Sequence, residues 1–288
     1  FDSGLGGLTA FKALAKRLPH EDIVYFGDTG RVPYGTRSRE TIVKYARQDM
    51  AFLQSRDVKM ILAACGTVSS VAGAKGELLS DTLNVPFVGV LRPTAREAAT
   101  ATRNGKIGVL GTTATIRSGS YQKELAAINP ELQVFGQDCP LFVPLVESGF
   151  VQPGDPITRL TVERYLAPMK EAGVDTLILG CTHYPIIAPV ISEVMGNDVV
   201  LINSGREAAR FSVALLAEMN LLTEKNGPGQ RHFYVSDRTE GFSSVAGIFL
   251  GYRPILMSAG GTPSTEIREA SPILVCYRKG FSSCRKIT

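Results

Sequence analysis

Short apolar, β-branched runs recur along the chain with longer amphipathic stretches between them. Ile23–Phe26, Met60–Ala64, Phe87–Val90, Lys106–Gly111, Thr176–Gly180 and Val199–Ile202 read as strands. Helical periodicity covers Leu8–Arg17, Arg39–Ser55, Val68–Leu79, Pro93–Thr102, Ser118–Ile128, Ile157–Ala172, Ile187–Val194 and Arg206–Met219. Several of these follow a Ser, Thr or Asn, as an N-terminal cap requires. Strands alternating with helices predict an α/β fold with mainly parallel sheets.

The two ends break the pattern. Asp2-Ser3-Gly4 forms a polar turn of the kind that follows an apolar strand, so the chain reads as lacking a few residues of a first strand. From about Leu256 the sequence turns Ser/Gly/Pro-rich, and Ile273–Thr288 is a short apolar and basic run without periodicity, read as a tail. Between the ends there is an internal echo. Ile61-Leu62-Ala63-Ala64-Cys65-Gly66-Thr67 parallels Leu177-Ile178-Leu179-Gly180-Cys181-Thr182-His183: an apolar strand, a cysteine at its carboxyl end, then small or hydroxyl residues leading into a helix. The repeats lie about a domain apart, so two similar α/β units facing across a cleft would each offer it a cysteine.

Composition excludes several classes. With 288 residues and 44% hydrophobic side chains, the chain is long and apolar enough for two folded domains. The net charge of +4 lies wholly in residues 251–288, where six basic side chains face Glu266 and Glu269. The rest is balanced, which argues against nucleic acid as a partner. No apolar run approaches the ~20 residues of a membrane helix, and nothing reads as a signal peptide. Five scattered cysteines without a CxxC pair suggest neither a disulfide framework nor a zinc site, and fit a reducing cytoplasm.

Candidate chemistry collects at the echo. A cysteine between a strand and a helix start meets backbone N–H groups and the positive end of the helix dipole, which favour a thiolate. The alternative is a small hydrophobe at a strand end, and for Cys139, Cys276 and Cys284 that reading stands. His183, two residues beyond Cys181, is placed to line the same pocket and shuttle a proton; a metal half-site there would need further ligands. Asp2-Ser3-Gly4-Leu5-Gly6-Gly7 could cradle a phosphate or carboxylate, though no lysine follows as in a P-loop. Asp28 reads as a loop cap, Pro33-Tyr34-Gly35 as a tight turn where backbone approaches a small ligand, and Glu147 as an acid on solvated surface.

Taken together, Asp2-Ser3-Gly-Leu-Gly-Gly, Gly27-Asp28-Thr29 with Pro33-Tyr34-Gly35, Cys65 before Thr67, Gly111-Thr-Thr-Ala-Thr115 with Ser118-Gly-Ser-Tyr121, Cys139-Pro140 through Glu147, and Cys181-Thr-His183-Tyr-Pro185 resemble the glutamate racemases from residue 1 to about 251. The resemblance implies a cofactor-independent isomerase that interconverts L- and D-glutamate and supplies the D-isomer for peptidoglycan, with no metal, in a cytoplasmic homodimer. It implies one discontinuous domain of residues 1–92 and 206–255, a second of 93–205, and a tail of 256–288. On this sequence it makes Cys65 and Cys181 the acid/base pair, Asp2 and His183 their partners and Glu147 a further active-site acid. Ser3, Pro33, Tyr34, Gly35, Gly66, Thr67 and Thr182 would line the substrate with Asp2 and His183.

The chemistry suits the residues. Inverting an α-carbon requires a base on one face and an acid on the other, and thiols that titrate near ~8.5 supply either form after a modest shift. Gly66 departs from the Asn usual in the family, with the loss of one or two hydrogen bonds to substrate, and Asn203 stands where Asp is common and reads as structural. Other readings remain open: a racemase of aspartate or another amino acid, an impaired small-acid binder, or a hydrolase using Cys181 and His183, which leaves Cys65 unexplained.

Overall fold

The computed structural model describes residues 1–72, 83–237, 242–251 and 274–277. The chain runs through α1 (Leu8–Arg17), β1 (Ile23–Gly27), α2 (Arg39–Gln54), β2 (Ile61–Ala63), α3 (Gly66–Ala72), β3 (Phe87–Gly89) and α4 (Leu91–Ala101). It continues with β4 (Lys106–Gly111), α5 (Thr113–Ser118), α6 (Ser120–Ile128), β5 (Gln133–Asp138), α7 (Phe142–Glu147), α8 (Pro156–Ala172) and β6 (Thr176–Leu179). After a 3-10 turn at Tyr184–Ile187 come α9 (Ala188–Met195), β7 (Val200–Asn203), α10 (Ser204–Glu218), β8 (Arg231–Val235), α11 (Phe242–Leu250) and β9 (Leu274–Tyr277).

Every ladder between these strands is parallel, in the orders β1-β8-β9, β2-β3 and β5-β4-β6-β7. The first two ladders form one half of the molecule and the four-stranded sheet the other. Central strands β4 and β6 are buried almost throughout, as expected where helices cover both faces. Phe1 and Asp2 lie between β1 and β2: Asp2 N–H donates to Phe26 O at 3.0 Å, and Ala64 N–H donates to Phe1 O at 2.9 Å. Beside them a cavity of about 450 Å³ is lined by both strands. α10 packs on α1 and α4, so it touches both halves. Gly205 allows that approach, since a Cβ there would stand 3.0 Å from Ala10 Cβ.

Differences from the sequence pattern have local causes. The helix expected over Ser118–Ile128 is split: α5 ends in Gly119 at φ +62° and α6 starts one residue later. β5 was hidden because, as a sheet edge, it alternates partly exposed polar and apolar residues. Strand β8 begins with Arg231 and His232, and helix α7 contains Pro144, so neither shows a clean period. Within the stretch read as a tail, Leu274–Tyr277 pairs beside β8. The rest of that tail, including Cys284, and residues 73–79 of the helix expected over Val68–Leu79 lie outside the described residues. No helix among those described is long and apolar enough to cross a membrane.

α8 tests the local reasoning. Asp155 caps it by accepting from Thr158 N–H at 2.9 Å, and Pro156 opens it. Asp155→Ala is expected to lower stability by about 1 kcal/mol; an unchanged urea midpoint with the same denaturant slope would contradict the cap.

Candidate active site

The turns that follow β2 and β6 meet. A Cβ placed on Gly66 would stand 2.0 Å from Gly180 O and 3.7 Å from Cys181 Cα. No side chain fits at residue 66 in this arrangement, so the carbonyl of Gly180 occupies the space that a larger residue would need. Other contacts join the halves around it. Thr67 Oγ1 and Thr112 Oγ1 are 2.9 Å apart, Thr9 Oγ1 donates to Thr182 O at 3.1 Å, and Ala114 N–H donates to Gly35 O at 3.1 Å. Gly6 packs against Thr182 and His183, where a Cβ would come within 2.5 Å of the imidazole.

Cys65 and Cys181 flank this junction, both buried. Their surroundings differ. Cys65 Sγ is 3.5 Å from Ser3 Oγ. Burial and the nearby Asp2 carboxylate push its thiol up to about 12, so it holds its proton at neutral pH. Cys181 Sγ lies 3.8 Å from His183 Nδ1, and His183 Nε2 lies 2.9 Å from Glu147 Oε1. Burial pulls the imidazole pKa down, but its bonds to Cys181 and Glu147 prevail and raise it to about 10. Phe249 packs edge-on against the ring, with centroids 5.1 Å apart.

Asp2 is fully buried, with Oδ2 accepting from Gly4 N–H at 3.0 Å and Oδ1 left without a partner. That orphan acceptor is a feature of the site, because a buried carboxylate oxygen without a donor costs free energy. Ser3, Thr67 and Thr182 gather at the same junction. Glu147 is 41% exposed along its side chain, so the solvated-surface reading holds only in part: one oxygen belongs to His183.

One expectation changes. Asp28 is no loop cap: it is fully buried, paired with Arg31 and hydrogen-bonded by Tyr34. Tyr34 is also buried, its hydroxyl committed to Asp28 and Asp49, which leaves its backbone alone for a ligand, while Pro33 is exposed. Cys139 is a buried structural thiol, and Asn203 caps α10 by accepting from Arg206 N–H at 3.0 Å. Among the described residues no group of three or more His, Cys, Asp or Glu could hold a metal. Sequence reasoning missed Thr112, Asp49 and Phe249. Asp49 had a signal: it lies in the apolar stripe of α2 with Ile42, Ala46, Met50 and Leu53.

A buried thiol on one strand end and a thiol–imidazole–carboxylate chain on another define an acid–base site in an α/β fold. The model of the Asp/Glu/hydantoin racemase family matches residues 9–211. The glutamate racemase of Geobacter metallireducens is 48% identical over 251 residues, covering 87% of this chain and 91% of that protein. The crystal structure of the Francisella tularensis glutamate racemase in complex with D-glutamate superimposes with a TM-score of 0.81 at 38% identity, covering 88% of this chain and 92% of that one. A Bacillus anthracis glutamate racemase gives a TM-score of 0.82 at 34% identity, with coverage of 88% and 92%. The chain belongs to the Asp/Glu/hydantoin racemase family and is an isomerase with that family's two-domain α/β fold.

Two outcomes follow from this geometry. A residue whose pKa rises on folding stabilises most below its unfolded value, near 6.5 for histidine, and loses that contribution as pH climbs through about 10. Glu147→Gln removes one of the interactions that raise His183, so the variant has less of this stabilisation at pH 6 and exhausts it at lower pH; in thermal melts from pH 6 to 10 it should be less stable than wild type at pH 6 and draw level as pH nears 10, and a gap that does not narrow over that range would refute this. Gly66→Ala would gain about 1 kcal/mol of helix propensity at the start of α3, against about 1–3 kcal/mol for overpacking a rigid carbonyl. Net destabilisation is expected, and a raised melting temperature would show that the turns do not meet as described.

Proposed function

We propose that this protein interconverts L- and D-glutamate without a cofactor, using Cys65 and Cys181 as a two-base pair. The observation that carries the reading is the unlike setting of the two sulfurs across one junction. Cys65 is kept as a thiol by burial and Asp2. Cys181 lies 3.8 Å from the His183 imidazole, whose bonds to Cys181 and Glu147 raise its pKa and favour the charged ring, and the reading takes Cys181 as the base beside it.

The Cys181 thiolate removes the α-proton from one face, the electron pair of the broken C–H bond is held on the α-carbon and its carboxylate, and the Cys65 S–H delivers its proton to the opposite face. Cys65 is then the thiolate and Cys181 the thiol, which is the starting state for the other isomer. Asp2 Oδ1, buried without a partner, would accept from the substrate ammonium. Hydroxyls of Ser3, Thr67 and Thr182, with the backbone at Tyr34 and Gly35, would hold the carboxylates and stabilise the charge that develops as the proton leaves. Gly66 supplies no amide, so its neighbours carry that share.

The reading includes a discontinuous first domain of residues 1–92 and 206–255 and a second of 93–205. It also includes a homodimer, a cytoplasmic location and provision of D-glutamate for peptidoglycan. The substrate rests on curated glutamate racemases 43–48% identical over most of the chain, that of Geobacter metallireducens among them.

Either isomer of glutamate incubated with the protein in deuterated water should lose optical rotation to zero while deuterium enters at the α-carbon. Cys65→Ser and Cys181→Ser variants that fold normally should each abolish racemisation. Rotation that persists with folded wild-type protein would end the proposal, and turnover of aspartate in preference to glutamate would redirect it.

A further inference from the structure

Beneath the Pro33-Tyr34-Gly35 turn, two buried carboxylates share one phenol. The side chains of Asp28 and Asp49 are both fully buried. Tyr34 Oη donates to Asp28 Oδ2 and also lies 3.1 Å from Asp49 Oδ2. Both acids touch a single guanidinium: Arg31 Nε is 2.5 Å from Asp28 Oδ2, and Arg31 Nη2 is 2.9 Å from Asp49 Oδ1. The other guanidinium nitrogen bonds Gln48 Oε1, and the group lies over Tyr45 at 4.3 Å from the ring centroid.

A phenol has one proton to give. With that proton on Asp28, the Asp49 contact would set acceptor against acceptor unless Asp49 Oδ2 carries a proton of its own. The reverse assignment places a proton on Asp28 Oδ2, which already faces Arg31 Nε–H, donor against donor. Protonating Asp28 Oδ1 resolves nothing, because that oxygen has no partner and the phenol still serves only one acceptor. A single guanidinium lies against the two buried carboxylates, and the Phe1 ammonium is the further positive charge that acts on Asp49. Burial, reinforced by the charge of Asp28, raises the Asp49 pKa well above the usual carboxylate range.

We propose that Asp49 is held as a neutral acid and is a positioning residue for the active site, donating to Tyr34 so that Tyr34 is clamped between it and Asp28. The consequence runs along contacts already described. The clamped Tyr34 sets Gly35, whose carbonyl accepts from Ala114 N–H at 3.1 Å and whose Cα has no room for a side chain beside Thr112, 2.8 Å from a Cβ there. Thr112 in turn meets Thr67, two residues from Cys65. Asp49 touches neither sulfur; it acts through the turn that docks one half of the molecule on the other.

The kinetic part rests on the proposed racemase reading, while the protonation state does not, so two readouts separate them. Infrared spectra of protein carrying ¹³C-carboxyl aspartate at neutral pH should show the carbonyl stretch of a protonated acid, lost in Asp49→Asn. Absence of that band in wild type, or its survival in Asp49→Asn, overturns the proposal whether or not the protein racemises glutamate. In turnover, Asp49→Asn, whose amide can donate to Tyr34 and accept from Arg31, should leave KM within about twofold. Asp49→Ala should raise KM about tenfold with a smaller change in kcat, the order expected for one lost buried hydrogen bond. An Asp49→Asn KM as high as that of Asp49→Ala would show that the anion is required and refute the neutral acid.

Discussion

The close approach of two backbone turns is the constraint on which the rest of the molecule depends. Glycine at 66 removes the Cβ that would hold the ends of β2 and β6 apart, and glycine at 180 lets the second turn lie close on its own sheet, where a Cβ would stand 2.6 Å from Leu110 O of β4. Glycine in such a place costs conformational entropy on folding, and it is tolerated because nothing larger lets the chain pass so near. Each glycine adjoins a cysteine, so bringing the turns together brings the sulfurs to a common junction. Parallel strands make this possible, because their carboxyl ends all open on the same edge of a sheet and the turns there lead into helices.

Burial then becomes chemistry. Both sulfurs sit in surroundings with little water, where a neighbouring charge counts for more than it would at the surface. An acid near Cys65 raises that thiol, while the imidazole beside Cys181 is itself raised by its bonds to Cys181 and Glu147, so two residues of the same type sit in unlike surroundings. Glu147 shows how far this extends. It is half exposed on a short helix with a proline inside it, yet its hydrogen bond is one of the interactions that keep His183 charged.

The same logic of few protons among many acceptors governs the support beneath the site. The contacts among Asp28, Tyr34, Asp49 and Arg31 match donor to acceptor only when one carboxyl is neutral. Such a network is rigid because no member can turn without leaving a buried group unpaired. Its place under a loop that reaches across to α5 gives that rigidity a use, since a loop held only by its own backbone would leave the docking of the halves loose.

Apolar periodicity by itself determined the α/β class, the strands β4 and β6 and helix α1 almost to the residue, because elements buried on both faces or along one stripe write their burial into the sequence. It also exposed the paired cysteines, since a strand followed by Cys and small residues is a local pattern. Edge strand β5, which is partly exposed, and strand β8, which opens with Arg231 and His232, were not legible because such segments carry no clean period, and the strand at Leu274–Tyr277 was not read either. Nor were the burial of Asp28 and the meaning of Asp49, a polar residue in an apolar stripe. Only the tertiary structure decided which donors face which acceptors and how near two turns more than a hundred residues apart come to each other, because hydrogen bonding and close approach depend on distances through space that a spacing along the chain does not encode.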